Sequence, residues 1–172
     1  MKLVKTLAIY GLGTSFLFAS SLIQKATDNG MMPIPAQKAE LMKLIDDKND
    51  PITKEKIELG KKLYFDPRLS KSGIISCNTC HNIGLGGADG IPAAIGHLWT
   101  ANPHHLNSPT VYNSVFFKSQ FWDGRSPHLA DQAKGPIEAG PEMAAPASLV
   151  EQRINSIPEY VNEFQNAYGK DV

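Results

Sequence analysis

The chain has 172 residues, enough for one domain with a real core, and its 17 basic residues balance 17 acidic ones for a formal net charge of zero. No basic tail or patch interrupts that balance, which argues against nucleic acid as a partner. The chain has only two cysteines, so no other disulfide can form once both are engaged.

Residues 1–21 read as a secretory signal peptide. Lys2 and Lys5 make a basic start, Leu7 to Leu17 is mostly apolar, and Ala19-Ser20-Ser21 offers the small residues a signal peptidase needs. An uncleaved membrane anchor is the competing reading. It is disfavoured because Gly11, Gly13, Thr14 and Ser15 break an apolar run already short of the roughly 20 residues a span needs. Cleavage would leave 151 residues with 15 basic against 17 acidic side chains, in the periplasm. Residues 22–35 read as a flexible leader ending in Met31-Met32-Pro33-Ile34-Pro35.

Ala36 to Ile45 has helical composition, with Ala39, Leu41, Met42, Leu44 and Ile45 as its apolar set. Asp50-Pro51 predicts a helix start, Asp as cap and Pro at the first helical position. That helix should run to Lys62 or Tyr64, with Ile57, Leu59, Leu63 and Tyr64 inward, and stop at Asp66-Pro67. Residues 66–126 lack periodicity and are rich in Gly, Pro, Asn and Ser, apart from a short helical turn near 77–83. They also hold Trp99, Phe116, Phe117, Phe121 and Trp122, which argues for ordered loops wrapped over a cofactor rather than disorder. Pro127 to Lys134 predicts a short helix ended by Gly135-Pro136. Pro146 to Ser156 predicts another. Pro158 opens a third, with Tyr160, Phe164, Ala167 and Tyr168 as an i, i+4, i+7, i+8 stripe. No strand alternation appears, so the expected class is all-α with long ordered loops.

Within the loop region stands Cys77-Asn78-Thr79-Cys80-His81. C-x-x-C-H is the attachment signature of c-type haem. On one helical turn the two thiols face one side and can each bond a vinyl group, and the histidine that follows can reach the iron as proximal ligand. A thioredoxin-type C-x-x-C would want a βαβ context and no export signal, and a zinc site a second ligand pair; the sequence offers neither. Export supports the haem reading, because covalent haem attachment takes place outside the bacterial cytoplasm.

The sixth iron position separates an electron carrier from a catalyst. Met31, Met32, Met42, Met143, His97, His104, His105 and His128 are the candidates. Met42 reads more simply as core, His104 and His105 as solvated turn residues, and His128 as a surface residue at a helix start. His97 stands apart, in the apolar run Ile95-Gly96-His97-Leu98-Trp99 beyond enough loop to cross a haem edge. The glycines of Gly84-Leu85-Gly86-Gly87-Ala88-Asp89-Gly90 make a poor phosphate loop, with no strand before them and no Lys-Ser/Thr after. Tight turns against a haem face suit them better.

These motifs in this order resemble the N-terminal half of the bacterial di-haem cytochrome c peroxidases. The resemblance is carried by Leu59 through Ser70 (LGKKLYFDPRLS), Ile75 through His81, Gly86 through Gly90 and Ile95-Gly96-His97. It continues in Asn107 through Val111, Phe121 through Arg125, Gln132 through Ile137, and Pro141-Glu142-Met143. It spans about residues 36 to 170. It implies a cytochrome c-like haem domain over residues 36–172, with Cys77, Cys80 and His81 holding one covalent haem c and His97 as the distal ligand of the resting state. It implies Glu142 as acid/base, Gln132 in the same pocket, Trp122 on the electron path, and Asn107 toward a Ca2+ at the domain interface. The implied reaction is reduction of H2O2 to water with electrons from a small donor, a cytochrome c or a cupredoxin. A second C-x-x-C-H and its C-terminal domain, general in the family, do not occur in this sequence. A fragment, or a partner chain supplying that domain, is therefore the expectation, with a homodimer also open. The alternative is a mono-haem bis-histidine electron-transfer cytochrome without turnover. A third reading, the related di-haem enzyme of methylamine utilisation, is disfavoured by His97, because that branch uses a tyrosine as distal ligand.

Overall fold

The computed structural model describes residues 21–169, and the expected signal segment lies outside them except for Ser21. The chain falls into two units, one up to Asp46 and one from Asp47. In the first, residues 21–28 are helical, where the sequence predicts a flexible leader. Local bonds explain the difference: Gln24 Nε2 donates to Asp28 Oδ1 (2.8 Å), and Gly30, at φ +77°, closes the turn with its N–H on the Thr27 carbonyl (2.9 Å). Helix α1, Lys38–Ile45, follows and buries none of its residues. Met42, expected in a core, is only partly covered there.

The second unit carries the C-x-x-C-H motif and every histidine. Helix α2 spans Lys54–Phe65, three residues later than Asp50-Pro51 predicts. The cap is Thr53, whose hydroxyl accepts from Lys56 N–H (3.2 Å), while Asp50 pairs with the Lys56 ammonium. Leu59 is buried, and Leu63 packs against the core. Ile57, predicted inward, is exposed. At the far end Asp66 caps α2 and opens a 3-10 turn, Pro67–Leu69.

Helix α3, Cys77–Cys80, is the predicted haem turn, and the long loop region around it is ordered by short 3-10 segments and isolated bridges rather than by a sheet. Helices α4, Leu129–Gln132, and α5, Lys134–Glu138, follow. Gly135-Pro136 was expected to end a helix but lies inside the first turn of α5. Proline is tolerated there, because the first N–H groups of a helix have no intrahelical acceptor. His128 caps α4 with its ring, Nδ1 accepting from Asp131 N–H (3.2 Å). Helices α6, Ala147–Asn155, and α7, Pro158–Tyr168, match the predicted pair.

The core is built where α2, α6 and α7 meet the loops flanking α3. Leu59, Leu69, Ile75, Met143, Ile154 and Tyr160 form one buried cluster, with Cys77, Phe164 and Ala167 packed onto it. Tyr168, the last member of the α7 stripe, stays largely exposed and stacks on Phe164 with ring centroids 6.1 Å apart. Polar ties close the cluster. Arg153 of α6 donates to the carbonyls of Arg68, Ser70 and Lys71, and Lys62 of α2 pairs with Glu159 and Glu163 of α7.

Candidate haem site

Helix α3 is set by the segment that precedes it. Ile75, 1% exposed, anchors the approach in the core and donates its N–H to Ser70 Oγ (3.1 Å). Ser76 N–H then meets Thr79 Oγ1 (2.9 Å), which starts the helix one residue before Cys77. The turn closes with His81 N–H on the Cys77 carbonyl (2.9 Å). Both cysteines are free thiols and partly buried. Burial raises the pKa of each; Cys80 is pushed up to about 11, with Asp89, Glu142 and Cys77 adding to the effect. The neutral thiol is therefore favoured on both, as suits residues packed against apolar surface.

His81 is held at two points. Its Nδ1 lies 3.0 Å from the Pro109 carbonyl, and its own carbonyl accepts from the Tyr64 hydroxyl. An Nδ1–H donated to Pro109 fixes the tautomer with Nε2 as the free lone pair, the arrangement that suits a metal ligand. Sequence reasoning places both Pro109 and Tyr64 in matching stretches, Tyr64 also on an inward helix face, and gives neither a part in the site. Neither backbone bond leaves a pattern in the sequence.

The segment Ile95–Trp99 approaches α3 from another side. Cys80 Sγ points to the Ile95 carbonyl at 3.5 Å, and His97 N–H donates to the Glu142 carbonyl at 2.6 Å. Gly96 makes this approach feasible: a Cβ there would lie 2.1 Å from the Pro141 carbonyl oxygen and 2.6 Å from that of Glu142. The next two residues, Leu98 and Trp99, both take left-handed conformations (φ +56° and +58°), which disfavour side-chain-bearing residues. His97 Nδ1 is buried without a hydrogen-bond partner.

Glu142 thus accepts the His97 N–H on its backbone carbonyl. Burial raises its carboxyl pKa, opposed by the charges of His81 and Arg125. Its neighbour Met143 is 4% exposed in the core cluster, with its N–H on the Pro136 carbonyl and its carbonyl taking Lys71 N–H. Of the other candidates, Trp122 is 64% exposed rather than a core aromatic, and its Nε1 donates to the Asn107 carbonyl (2.9 Å). Asn107 in turn donates its side-chain amide to the Ile91 carbonyl (2.5 Å). Gln132 is half-buried at the end of α4, and among the described residues no hydrogen bond ties its side chain to the histidines or to Glu142. His104, His105 and His128 are exposed, as are Met31 and Met32.

A family model of the di-haem cytochrome c peroxidases matches residues 54–172, the whole of the helical unit just described from α2 onward. The chain belongs to that family. It is 54% identical over 138 residues to cytochrome c551 peroxidase of Pseudomonas aeruginosa, covering 80% of this chain and 38% of that protein. It is 41% identical over 171 residues to cytochrome c551 peroxidase of Nitrosomonas europaea, covering 99% and 47%. Among solved structures, a MauG-like protein associated with microbial copper homeostasis superposes with a TM-score of 0.65 at 25% identity, over 80% of this chain and 38% of its own. The chain thus spans less than half the length of each of these relatives.

The residues of this chain fit a covalently held haem. Two free thiols flank one turn, an imidazole is fixed by its far nitrogen, and a second imidazole has a buried nitrogen that the protein leaves without a partner. Among the described residues no cluster of three or more His, Cys, Asp or Glu side chains could hold a metal ion. No helix among the described residues is long and apolar enough to cross a membrane.

Proposed function

We propose that this chain is the peroxide-reducing half of a periplasmic di-haem peroxidase, converting H2O2 and two protons to two waters with two electrons from a small redox protein. The observation that carries the reading is the convergence of three segments. The Cys77–His81 turn, the Ile95–His97 loop and the Pro141–Met143 turn meet through Cys80–Ile95, Gly96–Pro141 and His97–Glu142 contacts. Cys77 and Cys80 would hold the haem by thioethers, His81 would be its proximal ligand and His97 its distal one. Bound haem would supply redox chemistry, passing electrons one at a time to peroxide.

The protein's own part is positioning and proton movement. Breaking the O–O bond so that water leaves requires a proton to move from one peroxide oxygen to the other. The Glu142 carboxyl, raised by burial, is suited to take and return it. Gln132 would steady the same pocket, and Trp122, tied to Asn107, would lie toward the domain that delivers electrons. That domain, a calcium ion with Asn107 among its ligands, and a homodimer belong to the full-length arrangement of this proposal.

A second reading has its own support. The Gly96–His97 loop is seated on Glu142 with no room for a Cβ, a geometry that suits a bis-histidine electron carrier closed to peroxide. One experiment separates the two. Haem-loaded chain is mixed with reduced cytochrome c and H2O2, against a Cys77→Ser/Cys80→Ser control. Peroxidase action predicts sustained donor oxidation that falls by roughly 10²–10⁴-fold in Glu142→Gln. A carrier predicts a low-spin haem at every potential, no sustained oxidation, and indifference to Glu142.

A further inference from the structure

We propose that Tyr64 is a positioning residue for the iron-binding imidazole: its hydroxyl tethers the backbone of His81 and thereby sets the direction in which that ring presents Nε2. The inference rests on the haem reading above and adds to it a residue to which reasoning from the sequence gives no part in the site.

The hydroxyl is a fixed point. Tyr64 lies in the last turn of α2, between Leu63, which packs against the core, and Asp66, whose carboxylate is clamped by Arg68 and Tyr160. Its ring meets Phe65 edge-on at 5.3 Å and 74°. The end of α2 therefore cannot rotate the ring away without disturbing the core and the Asp66 cluster together.

The acceptor, by contrast, needs a hold. His81 is the residue that ends α3, with its N–H spent on the Cys77 carbonyl and its backbone at φ −122°, ψ 57°, outside the helical range. Nothing in a four-residue helix dictates that conformation. A side chain 17 positions earlier supplies the constraint by donating to the His81 carbonyl. Pro109, 28 positions later, holds the same residue at ring Nδ1. With the backbone held at one end and the ring at the other, rotation about the Cα–Cβ and Cβ–Cγ bonds is restricted and Nε2 is left one direction. Outer partners of this kind orient a metal-bound histidine as decisively as the ligand's own packing.

A natural comparison lies two residues away. Tyr112 donates its hydroxyl to the Ile83 carbonyl, a bond of the same chemical type to the adjoining turn but not to the ligand. Phenylalanine at 64 or at 112 removes one hydroxyl and little else. The readout is the electron paramagnetic resonance spectrum of the ferric haem-loaded chain, whose g values follow the orientation of the axial rings. Tyr64→Phe is expected to shift and broaden the g values, and Tyr112→Phe to leave them superimposed on the parent spectrum. Coincidence of the Tyr64→Phe spectrum with the parent, or an equal shift in Tyr112→Phe, overturns the proposal while leaving the haem reading intact. A parent chain whose haem is extracted by acid acetone, and so is not covalently held, overturns the haem reading and this proposal with it. Should Tyr64→Phe lose its far-ultraviolet helical signal, p-aminophenylalanine at position 64 restores a donor. It must then recover both the helical signal and the parent g values, and recovery of the first without the second overturns the proposal.

Discussion

Asp66→Asn tests the polar cluster from which the site is suspended. Oδ1 of Asp66 accepts from Arg68 N–H (2.9 Å) and Nε (2.8 Å), and Oδ2 accepts from Nη2 (2.5 Å) and from the Tyr160 hydroxyl (2.6 Å). Burial of a residue only 6% exposed would raise this carboxyl, but the bonds from Arg68 and Tyr160 outweigh it and hold the pKa at about 2, against 3.8 for a free side chain. That depression corresponds to roughly 2 kcal/mol of stability. The Arg68 side chain is 53% exposed and can turn to water, so the loss should stay below the roughly 3–5 kcal/mol of a fully buried broken pair. Because the folded-state value lies below the unfolded one, the contribution is complete above about pH 4 and disappears as pH falls toward about 2. Urea unfolding of the haem-loaded chain, followed by far-ultraviolet circular dichroism, should show a gap of ~2 kcal/mol between parent and variant at pH 7, closing toward zero near pH 2. A gap that stays constant across that range would refute the assignment of the stability to the ionised carboxylate.

Two further substitutions probe the site and the core. Gly96→Ala places a Cβ 2.1 Å from the Pro141 carbonyl oxygen; it should force the His97 loop off the Glu142 turn and lower the low-spin fraction of the ferric haem in the optical spectrum, whereas an unchanged spectrum would mean the contact is dispensable. Ile154→Ala empties a position 1% exposed in the core cluster and should cost about 2–5 kcal/mol in urea unfolding.

Helices α6 and α7 were legible because each buries one stripe at helical spacing after a proline, and α3 because its chemistry demands a fixed local spacing. What stayed hidden depends on partners far along the chain. Arg153 meets the carbonyls of Arg68, Ser70 and Lys71 across more than 80 residues, and Tyr64 meets His81 through a backbone atom, which carries no residue identity. Gly135-Pro136 misled because the same pair that ends one helix can fill the first turn of the next. The exposure of Trp122 was not legible either, because its indole N–H is held at the surface by a backbone carbonyl, that of Asn107. At the candidate site, residues and order were readable, whereas the contact of Gly96 with Pro141 and Glu142 required the fold.

Met143 and Glu142 are adjacent in the chain, yet one is part of the main hydrophobic cluster and the other takes the His97 N–H on its backbone carbonyl. No linker or independently moving loop separates the proposed proton-handling group from the hydrophobic cluster of the domain. Under the proposed peroxidase reading, reactivity toward peroxide should therefore fade on heating along the same curve as the packed core, without an earlier inactivation step. For anyone adapting this scaffold, thermal endurance and catalytic endurance would be a single property, improved or lost together.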